Sequence, residues 1–244
     1  MKMGAGPSGS GGVSAERARY VREMFDRISR RYELLNFLMT AGMYRRWNAR
    51  VVEVAEVRPG ARVLDLACGT GSLSRELARA VGPDGYVLGI DFSPEMLRIA
   101  RRRMYANLEY RLGDATDLKE VESRSFDVAT IAYGARNIPD LAALFSEMRR
   151  CLKPGGRAVC LEIARPGGVP ARAFYGIWFD RIVPLLGGMI SGDREAYAYL
   201  PRSVKEFVAP AELAGIMERS GLRNVTWERL AGGIITLHSG TKPR

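Results

Sequence analysis

Apolar residues follow two rhythms along the 244-residue chain. From Ala15 to about Val57 the spacing is helical: Val21, Met24, Phe25 and Ile28 share a face that continues through Tyr32, Leu35, Leu38 and Met39 until Gly42 interrupts it. A second helix, Tyr44 to Val57, stops at Arg58-Pro59-Gly60. Beyond it the pattern changes to short apolar runs: Val63–Leu66, Tyr86–Asp91, Leu108–Ala115, Phe126–Ala132 and Arg157–Ile163. Helical stretches at 72–78, from Ser93, and at Leu141–Leu152 separate them, and this alternation predicts an α/β fold with a mainly parallel sheet. Pro201 and Pro210 are expected to open two short helices, and Asn224–Arg229 and Gly233–His238 to close the chain as a strand pair around Ala231-Gly232-Gly233.

The first run ends in Asp65-Leu66-Ala67-Cys68-Gly69-Thr70-Gly71, where the missing Cβ atoms at Gly69 and Gly71 let backbone approach a ligand. Ser74 stands where a dinucleotide fingerprint has its third glycine, and no Gly-Lys-Ser/Thr follows as in a phosphate loop. Asp65 at the strand mouth repels pyrophosphate and suits a cation; the alternative is an aspartate capping a helix. S-adenosyl-L-methionine is cationic and carries no phosphate, and D-x-A-x-G-T-G resembles the first motif of the class I methyltransferases. The second and third runs also end in acids. Asp91, 20 positions beyond Gly71, suits ribose hydroxyls. Asp114 suits the adenine amino group, with the Ala115 amide facing a ring nitrogen. Phe92 and Met96, on either side of a helix start capped by Ser93 and Pro94, join the cofactor-binding candidates.

Composition narrows the classes. With 47% hydrophobic residues the chain has material for one domain with a sizeable core. A formal charge of +10, with only five lysines among 37 basic residues, fits either an arginine-biased composition or a basic face drawn to anionic membranes or nucleic acid. Three cysteines without a C-x-x-C and a single histidine provide no disulfide framework and no zinc or iron site, so a cytoplasmic, reducing compartment is expected. No run is long enough to span a bilayer. Residues 1–14 read as a flexible arm.

Several further stretches resemble the quinone-biosynthesis C-methyltransferases that act on demethylmenaquinol and related polyprenyl benzoquinols. They are Met24–Ile28 with Arg31–Asn36, Arg46-Trp47, Leu64–Gly71, Tyr133–Asn137, Leu152–Gly156, Leu161-Glu162, Ala196–Leu200 and Leu237–Pro243. The resemblance, covering about Arg17 to Pro243, implies a Rossmann-like class I methyltransferase: a seven-stranded mainly parallel sheet with the last strand antiparallel, helices on both faces and an N-terminal helical lid. Within one domain, 15–58 is then the lid, 61–165 the cofactor-binding half and 166–244 the acceptor side.

It also implies S-adenosyl-L-methionine contacts at Thr70, Asp91, Asp114-Ala115 and Ala132; the Tyr32, Asn36, Arg46 and Trp47 set is partly core helix, and its polar members suit a lid that closes on the cofactor. Ala132 stands where the family often has serine, and Ala135 where Leu or Ile is common, which bears on the acceptor pocket. For chemistry, Arg136 is the candidate cation facing the acceptor oxygen, or else pairs with Asp140 or a lid acid. Asn137 would order a water beside Arg136, and Tyr133 would pack against or hydrogen-bond the acceptor ring. His238 is expected to satisfy a backbone neighbour and Cys68 to fill space in the cofactor loop. The aromatic stretch from Phe174 to Ile190 is either helix packing or a channel for a polyprenyl chain. The implied partners are a lipid-soluble polyprenyl quinol and an anionic membrane surface contacted peripherally, with monomer and homodimer both open. A nucleic-acid methyltransferase is disfavoured by the absence of an Asp/Asn-Pro-Pro-aromatic motif after the fourth run. A nicotinamide oxidoreductase lacks its third glycine, and a noncatalytic cofactor-binding scaffold remains the non-enzymatic alternative.

Overall fold

A computed structural model describes residues 10–103, 105–166, 176, 178–183, 185 and 193–244. Two helices, α1 (Ser10–Thr40) and α2 (Tyr44–Val54), precede the sheet. The alternating part runs β1 (Arg62–Leu66), α3 (Ser72–Val81), β2 (Tyr86–Asp91), α4 (Pro94–Ala100), β3 (Leu108–Leu112), β4 (Phe126–Ala132), α5 (Leu141–Cys151) and β5 (Leu152–Ile163). After α6 (Arg194–Glu206) and α7 (Pro210–Arg219) the chain closes with β6 (Arg223–Leu230) and β7 (Ile235–Thr241).

The sheet order is β3-β2-β1-β4-β5-β7-β6, and β7 runs antiparallel to both its neighbours. The interior strands are nearly continuous apolar runs because both faces are covered, as a parallel sheet with flanking helices requires. One face packs Leu64, Leu66, Ile90, Ile131 and Cys160 against Phe145 and Met148 of α5 and Leu213 and Met217 of α7. The other packs Val63, Val87, Val128 and Leu161 against Leu73 and Leu77 of α3 and Val51 of α2. Chain order reverses between β1 and β4, and ligands of open α/β sheets bind at the carboxyl ends of strands beside such a reversal.

Three sequence expectations shift. Helix α1 begins at Ser10, five residues before the helical spacing that starts at Ala15, because propagation of a helix gains one hydrogen bond per residue. Pro201 lies inside α6 and does not open a helix: Asp193 caps the element by accepting from the Ala196 amide, and burial of Ala196, Tyr199 and Val204 outweighs the lost bond. Helix α2 ends at Val54, with Glu56 in the left-handed region (φ +51°).

Lys153-Pro154-Gly155-Gly156 ends α5 as expected and forms a turn within β5, where the register jumps from Phe126/Leu152 to Val128/Arg157. Lys242 clasps this turn: its amide donates to Gly156 O, its carbonyl accepts from Gly155 N, and its Nζ donates to Leu152 O at 2.7 Å. Part of the tail that resembles the family thus locks the sheet. His238 is buried, its Nε2 is 2.9 Å from Pro210 O, and its ring stacks on Trp227. Burial pulls its pKa below the ordinary value, and it does not line the cavity described next.

Candidate active site

A cavity of about 540 Å³ lies between the carboxyl ends of β1 and β4 and the inner faces of α1 and α2. Its floor is the glycine loop. Gly69 and Gly71 adopt φ +56° and +77°, and a Cβ at Gly71 would run into the Tyr110 hydroxyl. Ala67 and Tyr133, at the ends of β1 and β4, also sit in the left-handed region (φ +50° and +59°), which is costly for residues with side chains and characteristic of sites where backbone is held for function.

Asp65 lines this floor and is buried, its two oxygens accepting from Ser74 Oγ at 2.5 Å and Thr130 Oγ1 at 2.8 Å. Burial raises its pKa from 3.8 to about 6, against the lowering effect of those two hydroxyls, with the Asp91 charge adding to the rise. Asp91 is buried as well, accepting from the Gly69 amide at 2.8 Å and the Ser93 amide at 2.9 Å, and burial lifts it likewise to about 6. Two carboxylates thus crowd beside a loop of left-handed glycines, with their amide and hydroxyl donors already placed. Such a pair favours a cation and opposes a phosphate.

Gly69, Thr70, Ala132, Tyr133, Arg136, Tyr32, Asn36 and Cys68 line the cavity with Asp65. Gly71, Asp91, Phe92, Met96, Asp114, Ala115 and Asn137 do not. Helix α1 accounts for most of this division. Ser93 Oγ donates to Asp26 Oδ1 at 2.5 Å, and Phe92 packs into the cluster of Met24, Ile28 and Leu35, so α1 roofs the end of β2. Arg75 ties the same helix to the glycine loop, donating to Thr70 O at 2.7 Å and to Glu33 Oε1 at 3.0 Å. Met96 is core, and Asp114 Oδ1 is engaged by the amide and hydroxyl of Thr116 at 2.8 and 2.7 Å. Asp65, Asp91 and Asp114 nevertheless follow one another along one edge, on or just beyond the ends of the adjacent strands β1, β2 and β3.

The loop after β4 is arranged differently from the sequence expectation. Arg136 pairs with neither Asp140 nor a lid acid. Its Nη1 donates to Glu162 Oε1 at 2.6 Å and to Tyr133 O at 2.5 Å, and its amide donates to Glu162 Oε2 at 3.0 Å. Burial alone would lower the guanidinium pKa, but the Glu162 carboxylate outweighs it and the group stays charged. Its Nε is buried without a hydrogen-bond partner, as is the Tyr133 hydroxyl, whose pKa burial drives well above the ordinary value. Both residues line the cavity, and these two atoms lie buried in its wall, a donor and a hydroxyl that the protein itself does not satisfy. Asn137 turns away: its Oδ1 accepts from the Tyr199 hydroxyl at 3.1 Å, and Tyr199 is the one that lines the wall. Its Oδ1 therefore positions a neighbour.

Ser74, Thr130, Glu162 and Tyr199 were not singled out from the sequence. Glu162 had a legible signal, being an acid at the end of a buried strand like Asp65 and Asp91, and Thr130 is a hydroxyl among the apolar residues Val128 to Ala132. The segment from Phe174 to Ile190 lies largely outside the described residues. Of it, Trp178 lines the cavity and donates from Nε1 to Met39 O at 3.2 Å.

Residues 13–242 match the model of the ubiE/COQ5 methyltransferase family. The chain belongs to that family. It is 40% identical over 234 residues to a demethylmenaquinone methyltransferase of Desulfitobacterium hafniense (strain Y51), covering 94% of this chain and 92% of the relative. It is 35% identical over 234 residues to the ubiquinone/menaquinone biosynthesis C-methyltransferase UbiE of Teredinibacter turnerae (strain ATCC 39867 / T7901), covering 94% of each. Among solved structures, a SAM-dependent methyltransferase of Aquifex aeolicus superposes with a TM-score of 0.59 at 17% identity, over 80% of this chain and 88% of that one. The protein is a methyltransferase and S-adenosyl-L-methionine is its methyl donor. The residues present fit that donor: two buried carboxylates suit a cation, and left-handed glycines keep the loop low.

Proposed function

We propose that the enzyme methylates a ring carbon of a polyprenylated quinol of the demethylmenaquinol type, and that the cavity over β1 and β4 receives the quinol head. The observation that carries this reading is the cavity wall formed by Arg136 and Tyr133, where Arg136 Nε and the Tyr133 hydroxyl are buried without a hydrogen-bond partner beside a cluster of apolar and aromatic lining residues. A quinol head offers an oxygen to each and buries its ring among Phe25, Ile28, Met39, Trp47 and Trp178.

Bound at the glycine loop, the donor supplies an electrophilic methyl. The chain's part is to hold the acceptor and make it electron-rich. A quinol that gives a phenolic proton to water becomes nucleophilic at the adjacent ring carbon, which would form the new carbon–carbon bond as the donor's sulfur–methyl bond breaks and the thioether S-adenosyl-L-homocysteine leaves; loss of that ring carbon's proton to water then restores the aromatic quinol. The guanidinium of Arg136, held charged and aimed by Glu162, stabilises the developing phenolate; a guanidinium does not itself take the proton. Tyr133 fixes the ring, and Tyr199, held by Asn137, closes the wall beside it. Asp65 and Asp91 offset the positive charge of the donor, Thr70 and Ala132 border it, and Tyr32 and Asn36 cover it from α1. Asp114 and Ala115 are assigned to the adenine end and Phe92 and Met96 to its surroundings, which requires α1 to lift from the end of β2 when the donor enters.

The test is a purified reaction with S-adenosyl-L-methionine and a soluble short-chain demethylnaphthoquinol, read by mass spectrometry. The expected product is heavier by one ring-bound methyl group. Methylation on oxygen, or none, would overturn the assignment.

A further inference from the structure

Between Leu34 and Tyr44 the chain carries no charged residue, and an arginine pair bounds it on each side, Arg30-Arg31 and Arg45-Arg46. Along α1, Arg30, Arg31, Leu34, Phe37 and Leu38 recur at three- and four-residue steps and so share one helix face. That face is the outer one. Leu34, Phe37 and Leu38 are 52%, 44% and 41% exposed, and Met43 in the following turn is 41% exposed. These are four of the seven exposed large apolar side chains among the described residues, gathered within ten positions.

The patch is built, and its charge is mainly positive. Residues 30–46 carry Arg30, Arg31, Arg45 and Arg46 against one acid, Glu33, which is paired with Arg75 at 3.0 Å. The Arg45 guanidinium lies 5.8 Å from the Phe37 ring centroid and 5.9 Å from that of Tyr44, so a cation is held level with apolar rings. The turn is fixed as well: Gly42 donates to Phe37 O at 2.8 Å and adopts φ +75°, and a Cβ there would meet the Phe37 ring at 2.8 Å. Ala41 and Met43 are both exposed and part of the cavity wall, so the cavity reaches the surface at this turn.

We propose that the outer face of the C-terminal half of α1, with the turn to α2, docks on an anionic lipid bilayer. Leu34, Phe37, Leu38 and Met43 enter the headgroup–acyl boundary while Arg30, Arg31, Arg45 and Arg46 meet lipid phosphates. The cavity then opens onto the membrane and not onto water, the route a lipid-soluble acceptor requires; this last step rests on the quinol reading above. No helix among the described residues is long and apolar enough to cross a membrane, so attachment through this face is at the surface.

The experiment uses the full chain and sedimentation with phosphatidylglycerol/phosphatidylcholine vesicles, against phosphatidylcholine alone. The wild type is expected to bind the anionic vesicles at low salt and to be released at ~0.5 M NaCl. Leu34→Gln with Leu38→Gln, neither of which lines the cavity, is expected to lower partitioning about tenfold or more. Arg30→Gln with Arg45→Gln is expected to lower it about 30-fold, roughly fivefold per arginine. Both double variants should turn over the soluble short-chain quinol at the wild-type rate. The proposal is overturned if the wild type does not sediment with anionic vesicles, if the leucine pair leaves partitioning unchanged, or if that pair changes only the oligomeric state, which would make the face a contact between copies of the chain. Failure of the wild type on the soluble quinol would count against the quinol reading and leave the vesicle result to be judged by itself.

Discussion

Glu162→Gln tests how the acceptor-facing cation is held. In the wild type, Oε1 accepts from Arg136 Nη1 at 2.6 Å and Ile163 N at 2.8 Å, and Oε2 accepts from Arg136 N at 3.0 Å, all in a buried setting. The amide oxygen of glutamine can serve the Nη1 and Ile163 donors. Its NH₂ group then faces the Arg136 amide, donor against donor, leaving a buried N–H unpaired at a cost of about 1–3 kcal/mol. The guanidinium also loses its countercharge, and breaking a buried ion pair from one side costs about 3–5 kcal/mol. Since two of the three hydrogen bonds survive, we expect the lower end, about 3 kcal/mol. At an m-value of roughly 3 kcal/mol/M this moves the urea midpoint down by about 1 M.

Arg136→Met should cost a similar amount by stranding Glu162, whereas Arg136→Met with Glu162→Leu removes both charges and should be much less destabilised than the sum, with a coupling of about 2 kcal/mol or more. Activity separates from stability in this set. Both Arg136 variants should lose on the order of 10²–10³ in kcat while still binding the donor if, as proposed, the guanidinium acts on the acceptor oxygen. A Glu162→Gln protein within about 0.5 kcal/mol of wild type, or additive single and double variants, would refute the buried-pair argument. Full turnover in Arg136→Met would remove the residue from the chemistry.

Three further outcomes follow from the site. Tyr133→Phe deletes a buried hydroxyl that the protein leaves unpaired, so stability should hold or rise by about 1 kcal/mol while kcat for the short-chain quinol falls at least about tenfold; equal turnover would place the hydroxyl outside the reaction. Gly71→Ala places a methyl group against the Tyr110 hydroxyl at φ +77° and should lower the thermal midpoint by several degrees and abolish donor binding in calorimetry; unchanged binding would show that the loop tolerates displacement. Donor affinity should weaken as pH falls through about 6, roughly tenfold by about pH 5, because protonation of Asp65 or Asp91 removes the charge that attracts the cation; an affinity independent of pH over this range would separate these carboxylates from the donor.

The interior strands β1, β2 and β4 were legible because each is a short, mostly apolar run, a pattern that burial on both faces imposes. The floor of the site was legible for the same reason: Asp65, Gly69 and Gly71 are local to one strand–loop–helix unit. What escaped depends on contacts between distant residues. Arg136 meets Glu162 across 26 positions, Asn137 meets Tyr199 across 62, and Asp26 reaches Ser93 across 67. Composition and spacing state which residues can form such bonds but not which partner is brought within reach. Pro201 failed as a helix start for a related reason, since the cap supplied by Asp193 and the burial of Tyr199 and Val204 decide where α6 begins.

Placing two carboxylates where burial raises both to about 6 makes the empty site electrostatically unfavourable at neutral pH, and this has a measurable sign. A carboxyl with a pKa of 3.8 unfolded and about 6 folded binds more protons when folded in the interval between, so its contribution to stability falls as pH rises from about 4 to about 6 and is level above that. Each displacement corresponds to about 3 kcal/mol at most, and the two overlap because each raises the other. Glu95, Glu109, Glu147 and Asp193, whose pKa values are lowered in the folded protein, contribute in the opposite direction and lose stability as pH falls, so the total curve does not isolate the site. The difference between wild type and Asp91→Asn does. In urea unfolding without donor, the wild type should lose stability relative to the variant between about pH 4 and pH 6, by about 2–3 kcal/mol; saturating donor should remove that loss, since a bound cation favours the charged form. If the wild type instead gains on the variant over this interval, the buried carboxylate is already stabilised without a cation, and the charge argument for the donor site is wrong.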